Sequence, residues 1–327
     1  MATASRRSVP AAVGVGPALA DIVEAIGNTP MVELRRLSPS PEVHLYAKLE
    51  GANPTGSVKD RVAKAMLDEA VRSGALRPGQ TILEPSSGNT GISLAMIGSR
   101  LGHPVRIVMP ENTTLERRQL LALFGAEVVD SPGAEGSNGA IRVAQELVAS
   151  DPELFMPFQY GNEANPRVHE ERTGPEILAQ VPEVDVFVAG LGTGGTLTGV
   201  GRYLKRMRRG VRIVAAEPLP GELVQGLRSL EEGFVPPVLD ATVLDDRFLV
   251  GTRDAIIGAR RLTRKEGVLA GLSSGAALAV ALRVAHGLER GSVVVLLADG
   301  GWKYLSIDLW TRDLDELEED LEGSVLW

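Results

Sequence analysis

Short, mostly apolar runs alternate along the chain with stretches in which apolar residues recur every three or four positions. The runs at 43–49, 81–84, 105–109, 127–130, 184–189, 211–216 and 292–298 predict strands. Helical spacing predicts helices over 58–73, 91–100, 114–124, 140–149, 196–207, 253–265 and 274–287. Strands that alternate with helices make an α/β fold of parallel sheets covered by helices on both faces. In such sheets ligands collect at the carboxyl ends of the strands, where loops turn into helix N-termini. Three loops at those places carry small, polar or charged residues among glycines: 86–91, 190–195 and 299–301.

Loop 190–195 joins a strand to a helix through closely spaced glycines. Glycines let successive backbone N–H groups converge, and the helix N-terminus adds the positive end of its dipole, so the turn reads as a phosphate cradle. The hydroxyls of Thr193 and Thr196 are further donors. Gly190, Gly192 and Gly195 also satisfy G-x-G-x-x-G, with Glu217 following at the end of the next strand. That is the layout of a dinucleotide site, so from this segment alone an NAD-dependent oxidoreductase is a competing reading.

Loop 86–91 offers Ser86, Ser87, Asn89 and Thr90 between glycines. It presents hydroxyls and N–H groups to an anion such as a carboxylate. Capping of the next helix by Ser87 or Asn89 accounts for one of these residues, not for all. A dinucleotide enzyme has no evident need of this second anion loop. Upstream, Ser57 and Asp60 read as a helix start of the capping-box type. This sets Lys59 in a first helical turn, where the helix dipole disfavours a cation and lowers a lysine pKa. A lysine must be neutral to attack a carbonyl.

Composition narrows the chemistry. With 327 residues, the chain is long enough for one large or two moderate domains. A net charge of −8 and 4% aromatics argue against a nucleic-acid partner. The absence of cysteine removes thiolate catalysis, disulfides and Cys-based metal sites, and fits a cytoplasmic address. His44, His103, His169 and His286 are scattered, so no metal site is expected. No stretch is apolar for long enough to span a membrane. Residues 1–20, rich in Ala, Ser, Val, Gly and Pro, read as a disordered leader. The basic run 202–209 and the acidic run 313–322 read as solvated helix faces.

Taken together, several segments resemble the cysteine synthase family of fold-type II pyridoxal 5'-phosphate (PLP) enzymes, related to the tryptophan synthase β-subunit. They are GNTPMVEL (27–34), NPTGSVKDR (53–61), EPSSGNTGISLA (84–95), MPENTTLERRQLL (109–121), QYGNEANP (159–166), GLGTGGTLTG (190–199), GLSSGA (271–276) and DGGWKYLS (299–306). The resemblance implies two three-layer α/β domains with the cofactor in the cleft. The smaller, mobile domain would span 53–160, and the larger would combine 28–52 with 161–327. It also implies a homodimer.

Residue by residue, the resemblance makes Lys59 the lysine that binds PLP and removes the substrate's Cα proton. Asn89 is matched to the cofactor's 3-hydroxyl and Ser273 to its ring nitrogen. Gly192, Thr193, Gly194, Gly195 and Thr196 are matched to its phosphate. Ser86, Ser87, Thr90 and Gln159 are matched to the substrate carboxylate. The implied reaction is β-replacement on an activated serine through an α-aminoacrylate. The glycine loop would then hold the phosphate of PLP, and Glu217 need not meet a ribose.

Within the family, the segment 217–239 resembles the actinobacterial-type O-phosphoserine sulfhydrylase branch, with Arg228 at an arginine of that branch. A guanidinium suits a phosphate leaving group, which an acetyl ester does not offer. That branch implies L-cysteine as product and O-phospho-L-serine as substrate. Its sulfur donor is sulfide or a thiocarboxylate on a small ubiquitin-like carrier protein, and segment 321–327 resembles its C-terminal tail. The same fold also serves O-acetylserine sulfhydrylases and enzymes that make 2,3-diaminopropionate or cystathionine.

Overall fold

The computed structural model describes residues 18–317 except Ser87 and Leu223. Most of the expected leader, the substrate-loop residue Ser87 and the tail 321–327 therefore lie outside the described residues.

In chain order the elements are β1 (Met31–Glu33), β2 (Val43–Leu49), α1 (Lys59–Ser73), β3 (Thr81–Pro85), α2 (Asn89–Leu101), β4 (Val105–Pro110), α3 (Leu115–Leu123), β5 (Glu127–Ser131), α4 (Gly136–Ser150) and β6 (Leu154–Phe155). They continue with α5 (Ala164–Val168), α6 (Gly174–Gln180), β7 (Val186–Gly190), α7 (Gly195–Met207), β8 (Arg212–Pro218), β9 (Asp246–Val250), α8 (Thr252–Arg261), α9 (Leu272–His286) and β10 (Gly291–Leu297). They build two sheets, ordered β1-β2-β10-β7-β8-β9 and β5-β4-β3-β6. Every pairing is parallel except the antiparallel one of β1 with β2.

The strands are apolar at successive positions because both of their faces are covered. In the six-stranded sheet, Val186, Val188, Val214, Ala216, Val293 and Val295 pack with residues of α8 and α9. The alternate residues Phe187, Ala189, Ile213, Ala215, Val294 and Leu296 pack with Ile177 of α6 and Leu197, Val200 and Leu204 of α7. The four-stranded sheet repeats this: Ile82, Ile107 and Met109 face α1 and α2, while Leu83 and Val108 face Ala140 and Ala144 of α4. Two α/β units of three layers each result, as expected.

Three strands and one helical stretch escape the sequence pattern. β1 and β6 are very short, and β9 is an edge strand with a polar start whose burial alternates. The stretch 164–180 is helical, although Pro166 and Pro175 and many polar residues hide its period. It holds a π-helical turn, His169–Thr173, between α5 and α6. The expected capping box at Ser57 and Asp60 does not form. Ser57 Oγ accepts from the Lys59 N–H (3.3 Å), while the Asp60 carboxylate is taken by the Thr55 N–H (2.7 Å) and by the hydroxyls of Thr55 and Ser93. A tertiary partner from α2 thus replaces a local cap.

The basic run at the end of α7 is spread over ion pairs with neighbouring elements, such as Lys205 with Asp245 (2.8 Å) and Arg208 with Asp185 (3.2 Å). This is an ordinary solvated face.

Candidate active site

The carboxyl ends of β3, β7 and β10 converge on one cleft between the two units. The Val58 N–H donates to Ala298 O (2.8 Å), and Ser57 bridges Asp299, so the start of α1 is stitched to the end of β10. Lys59 is thereby aimed at two adjoining cavities of about 90 and 30 Å³, both of which it lines. Burial pulls its amine below the usual lysine range, against the attraction of the Asp299 carboxylate.

The smaller cavity is walled by the glycine loop, including Gly192, Thr193, Gly194 and Thr196, together with Ser273 at the start of α9. Gly194 has φ 82°, the left-handed conformation, and precedes the first turn of α7. A Cβ on Gly192 would lie 2.6 Å from Gly226 O, and one on Gly195 would collide with the Asn165 amide. The loop has room for backbone only.

Two supports behind this loop have no counterpart in the sequence reading. Asn165 Nδ2 donates to Gln159 O (2.8 Å) and Thr193 Oγ1 (3.1 Å). The buried His169 imidazole bridges Thr173 Oγ1 (2.9 Å) and Thr196 Oγ1 (3.2 Å). Burial, with Arg61 and Lys59 nearby, pushes His169 well below its usual pKa, so it is a neutral bridge. The signal for both lay in the unassigned polar stretch after residue 160.

The larger cavity gathers Ser86, Asn89, Thr90 and Gln159. Thr90 Oγ1 donates to Gln159 Oε1 (2.6 Å), and Ser86 Oγ accepts from the Gly91 N–H (3.0 Å). Arg228 enters from the other side and is 6% exposed. Its guanidinium lies over Phe234 (4.9 Å) and Tyr160 (5.6 Å), and Nη1 donates to Asn138 Oδ1 (3.1 Å). Arg117 of α3, unassigned in the sequence reading, also lines this cavity and donates to Gln225 Oε1 (2.8 Å). Three basic side chains, Lys59, Arg117 and Arg228, line the cavity, and among the described residues no carboxylate does.

Glu217, the acid that a dinucleotide site requires, is turned away from this role. It is buried, accepts from the Leu230 N–H (2.7 Å) and pairs with Arg247 (3.0 Å). It anchors the loop that carries Arg228 rather than a ribose. The NAD reading loses its acidic residue.

Glu84 anchors the opposite wall. Its carboxylate accepts from the N–H groups of Phe158 (2.7 Å) and Gln159 (2.9 Å), and burial pushes its pKa up to about 7 despite these bonds. The folded protein therefore holds the Glu84 proton more tightly than the unfolded chain, whose value is 4.5. The resulting stabilisation is complete below pH 4.5 and is lost as pH rises to 7. Glu84→Gln is expected to lack this dependence. Wild-type stability relative to the variant should fall by up to about 3 kcal/mol between those pH values. Urea melts of both proteins at several pH values check this, and parallel curves would refute it.

The cleft has the parts of a PLP site: an amine held below its usual pKa, a backbone-only anion cradle, a side-chain amide and a buried hydroxyl. Residues 22–300 match the family model described as pyridoxal-phosphate dependent enzyme. The chain belongs to this family of PLP-dependent enzymes. A cysteine synthase of Staphylococcus aureus is 44% identical over 303 residues, covering 90% of this chain and 97% of that protein. The crystal structure of an O-ureido-L-serine synthase superposes with a TM-score of 0.85 at 41% identity, over 90% of this chain and 96% of the other. A cysteine synthase from Entamoeba histolytica has a TM-score of 0.85 at 32% identity, over 98% and 99%. Among the described residues no helix is long and apolar enough to cross a membrane.

Proposed function

We propose that the protein makes L-cysteine by β-replacement on O-phospho-L-serine, with Lys59 as the catalytic residue. The observation that carries the substrate is the buried Arg228 guanidinium in the wall of the Lys59 cavity. A phosphate monoester brings close to two negative charges, which the two guanidiniums of Arg117 and Arg228 in the cavity wall compensate. A neutral leaving group would leave that charge unmatched. The cysteine synthases among the relatives support the product.

Each residue then has a task. Gly192, Thr193, Gly194, Gly195 and Thr196 hold the cofactor phosphate, Asn89 the ring oxygen and Ser273 the ring nitrogen. Ser86, Ser87, Thr90 and Gln159 hold the substrate carboxylate. Bound PLP supplies an electron sink for charge developed at Cα. The Lys59 amine, whose pKa burial lowers, takes the Cα proton. Arg228 receives the phosphate as the Cβ–O bond breaks and its electron pair leaves with the oxygen. A sulfur nucleophile then forms the Cβ–S bond, and the proton held by Lys59 returns to Cα. Sulfide gives L-cysteine directly. The thiocarboxylate of a small carrier protein gives a cysteine still joined to the carrier, a bond that water must cleave to release the product. The same reading includes a homodimer in the cytoplasm, with the 53–160 unit closing over the cleft to exclude water.

Arg228→Ala is expected to lower kcat/KM for O-phosphoserine roughly 10- to 100-fold. Use of O-acetylserine should be nearly unchanged. Steady-state assays with both substrates test this. Undiminished use of O-phosphoserine would sink the phosphate assignment and favour an ester or ureido leaving group.

A further inference from the structure

We propose that Lys303 is a positioning residue for this enzyme: it fixes the orientation of the Asn89 amide and so determines which group that side chain offers to the cofactor ring oxygen. The inference rests on the assignment of Asn89 to that oxygen.

Lys303 is fully buried in the turn after β10, as Lys48 is elsewhere in the fold. Its ammonium donates to Asn89 Oδ1 at 2.6 Å. On the other side of the same amide, Asn89 Nδ2 donates to Asp299 Oδ2 at 2.8 Å. An ammonium can only donate and a carboxylate can only accept. Only one of the two amide orientations satisfies both neighbours. A flipped amide would set N–H groups against the ammonium and its oxygen against the carboxylate.

Nδ2 carries two hydrogens, and Asp299 uses one of them. The second is left for the cavity, which Asn89 lines beside Lys59. Without Lys303, the Asn89 oxygen would lose its donor and Asp299 alone, through one N–H, would hold the amide, so its orientation towards the ring oxygen would be fixed less firmly. Lys303 also balances the charge there. The Asp299 carboxylate is buried, and it is held by the Tyr304 hydroxyl (2.9 Å) as well as by Asn89. Left without a nearby cation, it would repel the same ring oxygen. The surroundings of Lys303 serve this placement. Its ammonium lies within reach of Gly56 O (3.4 Å) and 5.2 Å from the Trp302 ring. Burial lowers its pKa to about 8 against the pull of Asp299 and Asp60, so it retains its charge at neutral pH.

The test uses the full-length holoenzyme and a double-mutant cycle of Lys303→Met, Asn89→Ala and the pair. The visible absorption band of the PLP-loaded protein reports the hydrogen bond at the ring oxygen, which a merely structural role would not move. Lys303→Met is expected to change the balance of the long- and short-wavelength bands. It should also weaken reconstitution of apoprotein with PLP about tenfold. In an Asn89→Ala background the same substitution should change neither further. Lys303→Arg, which keeps a cation and donors, should restore part of the wild-type band. Lys303→Gln, of similar bulk with one neutral donor, takes the place of Lys303→Met should that variant not fold.

An Asn89→Ala band identical to wild type would sink the assignment of Asn89 itself. A changed Asn89→Ala band beside an unchanged Lys303→Met band would overturn the role of Lys303 alone. Equal effects of Lys303→Met in both backgrounds would overturn its action through Asn89.

Discussion

Lys59→Ala is expected to lower turnover by at least roughly three orders of magnitude, because in the proposed function one amine both anchors the cofactor and moves the Cα proton. The fold should survive. The backbone bond that places this residue runs from the Val58 N–H to Ala298 O and does not use the Lys59 side chain. The variant should therefore melt near the wild-type temperature as apoprotein while losing the visible band of the PLP-loaded enzyme. Absorbance, melting temperature and product formation measured on one preparation check all three parts. Turnover within tenfold of wild type would show that another group takes the proton.

Arg61→Ala should act on stability instead, by about 3–5 kcal/mol. Arg61 follows Lys59 by two residues and is buried at the junction of the two units. Its Nε donates to Glu50 Oε2 (2.7 Å), and its terminal nitrogens donate to both oxygens of Glu176 (2.7 Å each). Glu50 is fully buried and also accepts from Thr29 Oγ1 (2.7 Å), while Lys48 pairs with Glu176 (2.8 Å). Removing the guanidinium leaves two carboxylates with one ammonium, and one of them has no access to water.

The pH dependence follows from Glu176. Burial raises its pKa, but the hydrogen bonds and charges of Arg61 and Lys48 outweigh this and take it to about 2. A depressed folded-state value stabilises the fold above the unfolded 4.5, and that stabilisation is lost as pH falls towards 2. Urea unfolding at pH 7 and pH 4 should show wild-type stability falling more than that of the variant. A loss below about 1 kcal/mol at pH 7 would show that the cluster relaxes or hydrates when opened.

Much of this site was visible in the chain as written. Asn89, Thr90 and the glycine loop stand beside turns that their own glycines and hydroxyls encode, and local backbone preferences act over a few residues, whereas Lys59 on its own reads as an ordinary lysine and Ser273 is pointed to only by the family resemblance. What escaped notice depends on distant partners. Lys303 looks like any surface lysine until β10 carries it against Asn89. Asp60 looks like a helix cap until α2 offers it Ser93. Arg117 sits in an amphipathic helix whose spacing does not say that one polar position faces a cavity. Glu217, read locally, imitates a ribose-binding acid, and only the path of the 228–230 loop shows where its carboxylate goes.

The sequence by itself determined the alternation of strands and helices, the parallel α/β class and the places where anions can be bound, because periodicity and turn chemistry are local properties. The tertiary structure decided which buried charges are paired, which way the Asn89 amide faces and which cations share the Lys59 cavity. Those outcomes turn on electrostatics and hydrogen bonding in a space closed to water, where a few ångströms between residues far apart in the chain separate a partner from an unpaired charge.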